Sequence, residues 1–141
     1  MTKLLVMVEP DLAVFGAKDW QQQLVVRRLV ADLALPVGIV TGPIVREADG
    51  LAMSSRNRYL DPAQRRVAPL LHATLAWMRQ SFIDGHAAAA IEGAAIRRLE
   101  RAGFVPDYAV IRRAADLAVP APDGRKGVMA LVAARLGSTR L

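Results

Sequence analysis

Two stretches carry residue types that suit anion binding. "FGAKDWQQ", residues 15–22, brings Gly16, Lys18 and Asp19 together, and "MSSRN", residues 53–57, sets Ser54, Ser55 and Arg56 side by side. A lysine delivers a compact positive charge to a phosphate, while an arginine offers a planar fork of donors that matches two phosphate oxygens. Serine hydroxyls add further donors, glycine lets a ligand approach the backbone, and aspartate accepts from ribose hydroxyls. Such a set would bind a nucleotide and stabilise charge developing on its phosphates. The spacing alone leaves other readings open, because neither a P-loop nor a G-x-G-x-x-G pattern is present. Asp19 with Gln22 also reads as a capping box, with Lys18 simply solvated. Ser54, Ser55 and Arg56 also read as a polar surface loop, with Asn57 and Arg58 capping and decorating the helix that follows.

These stretches need elements to hold them. "KLLVMVEP" is a short apolar run closed by proline and reads as a buried parallel strand, as does "VGIVTGPIV". Between them "DWQQQLVVRRLVADL" places Val25, Val26, Leu29, Val30 and Leu33 on one helical stripe. Strand, helix, strand makes a βαβ unit and implies a parallel sheet, with ligand groups beyond the carboxyl ends of the strands. A two-stranded sheet cannot bury both faces, so residues 1–45 read as the C-terminal portion of a Rossmann-like domain.

From residue 46 the pattern changes. Asp61-Pro62-Ala63-Gln64 is a helix start with a capping box, and Leu71, Leu75, Met78 and Phe82 continue an apolar stripe that Pro69 should kink or break. "HAAAAIEGAAIRRLERAG" reads as a helix ended by Gly103. "PDYAVIRR", "DLAVP" and "KGVMALVAARLG" read as short strands, with "PDGRKG" as the hairpin loop. Residues 46–141 thus read as a small α+β lid domain with an antiparallel sheet. The overall class is α/β.

Composition narrows the classes of function. Of 141 residues 53% are hydrophobic, which excludes wholesale disorder. No apolar run reaches the roughly 20 residues of a membrane helix, and no signal-peptide pattern opens the sequence, so a cytoplasmic location is expected. There is no cysteine, hence no disulfide framework and no thiolate metal site. A net charge of +6, from 19 basic and 13 acidic residues, favours anionic partners. It keeps open a basic nucleotide- or nucleic-acid-binding module without catalysis. Against that reading, aromatic residues are only 5% and are not interleaved with the arginine pairs.

Taken together, "FGAKDWQQ" and "VREADGLAMSSRNRYL" closely resemble the pantoate–β-alanine ligase (pantothenate synthetase) family, and the resemblance runs on to the closing "LVAARLGSTRL". It implies a nucleotidyltransferase fold related to class I aminoacyl-tRNA synthetases, with MSSRN as the counterpart of their KMSKS loop. It also implies ATP-dependent condensation of pantoate with β-alanine through a pantoyl adenylate, with ATP and Mg²⁺ as cofactors. By the same resemblance Gly16, Ala17, Lys18 and Asp19 hold ATP, with Lys18 on the phosphates and Asp19 and Gly16 near the ribose. Val45 and Met53 line the adenine pocket, Gln22 holds pantoate, and Lys18, Ser54, Ser55 and Arg56 carry the catalytic charge stabilisation. No metal ligand from the chain is implied. The full-length family is expected to be a homo-oligomer, a dimer.

The family's N-terminal half, with its histidine-bearing M-G-x-L-H-x-G-H motif, has no counterpart here. His72 and His86 are too far apart to replace that pair, and they read as a packing residue and a surface residue. The expectation is therefore a C-terminal half, lacking competence alone, with a missing N-terminal half chain as its possible partner.

Overall fold

In a computed structural model, residues 1–121 and 124–141 are described, and the chain divides into two compact units, Met1–Val45 and Arg46–Leu141. Pro122 and Asp123 of the expected "PDGRKG" loop lie outside the described residues.

The first unit runs α1 (Thr2–Val8), β1 (Leu12–Gly16), a single 3₁₀ turn (Ala17–Asp19), α2 (Trp20–Asp32) and β2 (Gly38–Gly42). Strands β1 and β2 pair in parallel from Leu12↔Gly38 to Gly16↔Gly42, with α2 as the crossover. The expected βαβ unit is present, but its first strand is "LAVFG" and not "KLLVMVEP", which is helix α1. A short apolar run has no period that separates strand from helix, and Lys, Leu and Met favour helix. Glu9 turns left-handed at the helix end (φ 46°) and donates to the Leu5 carbonyl; Pro10 then prevents continuation. In α2 the buried positions are Gln23 and Val26, whereas Val25 (65% exposed) and the C-cap residue Leu33 are exposed. The buried face is thus narrower than the apolar spacing implies, and it contains a glutamine.

The second unit runs from a turn at 46–52 through a 3₁₀ helix (Ser55–Tyr59) to α3 (Pro62–Val67), α4 (Leu70–Ile83) and α5 (Ala88–Arg101). It ends in β3 (Val105–Arg113), β4 (Val128–Leu136) and β5 (Thr139–Arg140), an antiparallel sheet in the order β3-β4-β5. The capping box forms as expected: Asp61 Oδ1 accepts from the Ala63 and Gln64 amides at 2.8 Å, and Gln64 Oε1 accepts from the Asp61 amide at 3.1 Å. The helices break at Ala68-Pro69, and Gly103 (φ 86°) follows the end of α5.

Helices α4 and α5 pack against the β3–β4 sheet. Their buried faces carry Leu71, Thr74 and Met78 on α4 and Ile91, Ala95 and Leu99 on α5, facing a core that includes Ala109, Ile111, Ala134 and Leu136. Burying a side chain such as Leu99 or Met78 contributes about 1.5–3 kcal/mol each. Gly137 (φ 59°) turns β4 into β5 against the capping box: a Cβ there would lie 2.4 Å from Gln64 Nε2.

"DLAVP" is not a strand. Asp116 pairs with Arg113, and its Oδ1 accepts from the Ala118 amide at 3.1 Å, making a turn, while Leu117 is left-handed (φ 60°). A strand cannot continue through that local side-chain competition for the backbone. Consequently β3 and β4 are joined by residues 114–127, a longer connection than the expected hairpin loop. Among the described residues no helix is long and apolar enough to cross a membrane.

Candidate functional site

The expected site residues fall into two clusters, one in each unit. In the first, Gly16 ends β1, Ala17–Asp19 form the 3₁₀ turn and Trp20 opens α2. This is the carboxyl end of a parallel strand running into a helix N-terminus, where backbone N–H groups and the helix dipole favour an anion. A Cβ built on Gly16 meets no atom within 4 Å, so the unit's own packing does not require glycine there. Lys18 and Gln22 are exposed on the same turn and the first turn of α2. The capping-box alternative for Asp19 and Gln22 is not realised: Asp19 sits at the N-cap of α2 with φ −98° and ψ 58° and makes no side-chain cap hydrogen bond.

Sequence reasoning missed Gln23. It is 0% exposed, and its Nε2 donates to the Phe15 carbonyl at 3.3 Å and to Thr41 Oγ1 at 2.8 Å. Arg27 reaches the same Thr41 oxygen at 3.0 Å. One buried amide therefore ties the ends of β1 and β2 to the helix that follows the Gly16–Asp19 turn. Within "WQQQ" nothing distinguishes it from Gln21 and Gln22, which are exposed. Val45, the last residue of the unit, is exposed.

The second cluster is the segment Met53–Arg56. Met53 is 57% exposed, Ser54 caps the 3₁₀ helix by accepting from the Arg56 amide at 3.2 Å, and Ser55 and Arg56 are exposed. Among the described residues, the Arg56 guanidinium makes no hydrogen bond or ion pair. The neighbouring polar residues behave differently. Asn57 does not cap the next helix, a role Asp61 takes; it donates to Glu47 Oε1 at 2.8 Å and to the Ala52 carbonyl at 3.1 Å. Arg58 lies over the Tyr59 ring, 4.9 Å from its centroid.

Two carboxylates stand beneath this segment. Hydrogen bonds from Asn57 and then Arg65 hold the Glu47 carboxyl below its usual range, and Arg65 with the Leu51 amide does the same for Asp49. Their joint pull raises Arg65 in turn. Hydrogen bonding to the charged form is the physical cause in each case. His72 packs against Gly50 (φ 90°), where a Cβ would lie 2.4 Å from its Nδ1, and His86 is exposed with Nδ1 3.0 Å from the Ser81 carbonyl oxygen. Packing and surface roles for the two histidines thus hold. Among the described residues no group of three or more His, Asp or Glu stands where it could hold a metal ion.

Comparison with known proteins gives one consistent match. A family model described as pantoate-beta-alanine ligase matches residues 1–141. A pantothenate synthetase of Acidiphilium cryptum (strain JF-5) is 56% identical over 142 residues, which cover 100% of this chain and 50% of that protein. One from Xanthomonas oryzae pv. oryzae (strain PXO99A) is 53% identical with the same coverage. The chain therefore spans about half the length of the curated relatives it matches. Among solved structures, a pantothenate synthetase from Thermus thermophilus superposes with a TM-score of 0.90 at 42% identity, over 99% of this chain and 51% of that one. A pantoate-beta-alanine ligase from Francisella tularensis, complexed with β,γ-ATP and β-alanine, gives 0.72 at 21% identity over 99% of this chain and 45% of that one, a likeness of fold.

Proposed function

Because the chain belongs to the pantoate–β-alanine ligase family, we propose that its two polar clusters bind ATP for the synthesis of pantothenate from pantoate and β-alanine by way of a pantoyl adenylate. The observation that carries this reading is the contrast around Met53–Arg56. Asn57 and Arg65 are committed to internal partners, while the exposed Arg56 guanidinium has no hydrogen bond or ion pair among the described residues. A surface turn kept only for packing has no need of such a presentation.

In this mechanism a pantoate carboxylate attacks the α-phosphorus of ATP, the α–β bridging bond breaks, and pyrophosphate leaves. Negative charge grows on the equatorial oxygens and on the departing group. Lys18, Ser54, Ser55 and Arg56 stabilise that charge more in the transition state than in the ground state, which is the condition for acceleration. Asp19 and Gly16 sit at the ribose, the Ala17 backbone faces the nucleotide, Val45 and Met53 border the adenine, and Gln22 donates to pantoate. The β-alanine amine then attacks the mixed anhydride and AMP departs. That step needs orientation and the exclusion of water more than further charge.

Mg²⁺ belongs to this proposal as a companion of the nucleotide. It commonly binds through substrate phosphates and water with few protein ligands. The described side chains offer no cage for it.

We assign residues 1–45 to the ATP-binding part and residues 46–141 to the lid. Since the chain spans half of its relatives, catalysis is proposed for it together with the remaining half and not alone. Calorimetric titration of the chain with ATP, in low and high salt and beside a single-stranded RNA of equal charge, tests the binding reading. Saturable binding of ATP in preference to RNA supports it. RNA binding that falls steeply with salt, with no heat from ATP, contradicts it.

A further inference from the structure

The Met53–Arg56 segment is closed at its base. Asn57, immediately after it, donates to the carbonyl of Ala52, immediately before it, at 3.1 Å. The same Asn57 Nδ2 also donates to Glu47 Oε1 at 2.8 Å. Glu47's other oxygen is taken by Arg65 Nη2 at 2.6 Å, and Arg65 Nη1 reaches Asp49 Oδ2 at 2.5 Å. Asp49's remaining oxygen accepts from the Leu51 amide at 3.1 Å. All four carboxylate oxygens are therefore engaged, and one guanidinium on α3 is bound through both its terminal nitrogens to the turn that precedes the segment. The Asn57 amide has a defined direction, because reversing it would set its oxygen against two acceptors. Gly50 packs against His72 of α4, so the turn is fixed on its other side as well.

We propose that Asn57 and Arg65 are positioning residues for the anion-gripping segment: Asn57 staples its two ends and Arg65 anchors the staple to α3. The inference rests on the ATP reading above for its purpose, though not for its geometry. A short loop whose ends are tied has few conformations to lose on binding a ligand. Neither residue needs to touch the nucleotide. They act by keeping Ser54, Ser55 and Arg56 in one arrangement, so their removal lowers the fraction of molecules competent to bind. If that fraction falls to one-tenth, the apparent Kd rises about tenfold.

Two measurements on the full chain separate the geometry from its purpose. The first is hydrogen exchange without ligand. Asn57→Ala and Arg65→Met should speed exchange of the amides from Ser55 to Arg58 about tenfold or more, with the amides around Leu99 unchanged. Asn57→Asp, nearly isosteric, should do the same, because it turns a carboxylate toward Glu47 and the Ala52 carbonyl. Loop exchange unchanged in all three variants overturns the proposal whatever ATP does.

The second is a double-mutant cycle on ATP affinity. Arg65→Met should weaken binding about tenfold in the unaltered chain and much less in the Arg56→Ala background, because the positioned group is then already absent. Equal loss in both backgrounds would mean that Arg65 acts on the ligand by itself, and the positioning account would be wrong. Indifference of ATP affinity to Arg56→Ala overturns the ATP reading and the purpose assigned to the staple, while the exchange result still decides whether the staple exists.

Discussion

Replacing Arg56 by alanine should separate function from stability. The side chain is exposed and has no hydrogen bond or ion pair among the described residues. Its removal therefore deletes no hydrogen bond or ion pair, and a surface change of this kind stays within about 0.5 kcal/mol. For a domain of this size that is a melting shift of no more than about 4 °C. Binding is another matter. Arg56 would make charge-assisted hydrogen bonds to phosphate oxygens, each worth about 1.5–3 kcal/mol, which is a loss of roughly ten- to 150-fold in ATP affinity. Arg56→Lys keeps the charge and loses the planar fork, so it should fall between the two. Calorimetry with ATP and thermal melting on the same preparations give both numbers. A variant that melts several degrees lower yet binds ATP as before would show that Arg56 braces the fold, and the site assignment would be wrong.

Other consequences follow from the same structure. Leu99 is 0% exposed in the core, so Leu99→Ala should cost about 2–5 kcal/mol in denaturant unfolding; a cost under about 1 kcal/mol would mean that the core is loosely packed there. Gln23→Ala removes two hydrogen bonds and opens a small void, and should destabilise the first unit by about 1–3 kcal/mol, read as faster hydrogen exchange in β1 and β2; unchanged exchange there would refute its tying role. The carboxyls of Glu47 and Asp49 are held below their ordinary range, so the native state binds fewer protons than the unfolded chain. Their contribution is present above about pH 5 and is lost as pH falls through the lowered folded values. Arg65→Met should flatten that acid-side decline in melting temperature, and an identical decline in the variant would refute the assignment.

Much of the second unit is legible in the sequence because its signals are local. The Asp61 capping box, the break at Pro69 and the left-handed Gly103 each act within a few residues, and each appears where the sequence places it. The apolar stripe of α4 buries Leu71 and Met78 for the same reason. The misreadings have equally specific causes. "KLLVMVEP" is apolar without a period, so its helix shows only through the backbone, where the left-handed Glu9 and then Pro10 end it. "DLAVP" has the composition of a strand, but the pull of Asp116 on its own turn outweighs the β-propensity of Val119.

At the candidate site the residue types are readable from the sequence and their supports are not. Lys18, Asp19 and the Ser54–Arg56 run stand out by chemistry. Gln23 and Arg65 act through partners 8 to 18 residues away, which no local pattern discloses.

If this chain grips ATP as proposed, it should complete an adenylate-forming ligase when joined by the part of its relatives that it does not cover. The most direct test supplies, as a separate polypeptide, the portion of the Thermus thermophilus relative that this chain does not cover, and measures AMP formation dependent on pantoate. The mixture should form AMP where neither polypeptide does so alone, and Lys18→Ala or Arg56→Ala in this chain should abolish or sharply slow it. AMP formation as fast with both substitutions as without them would contradict the claim.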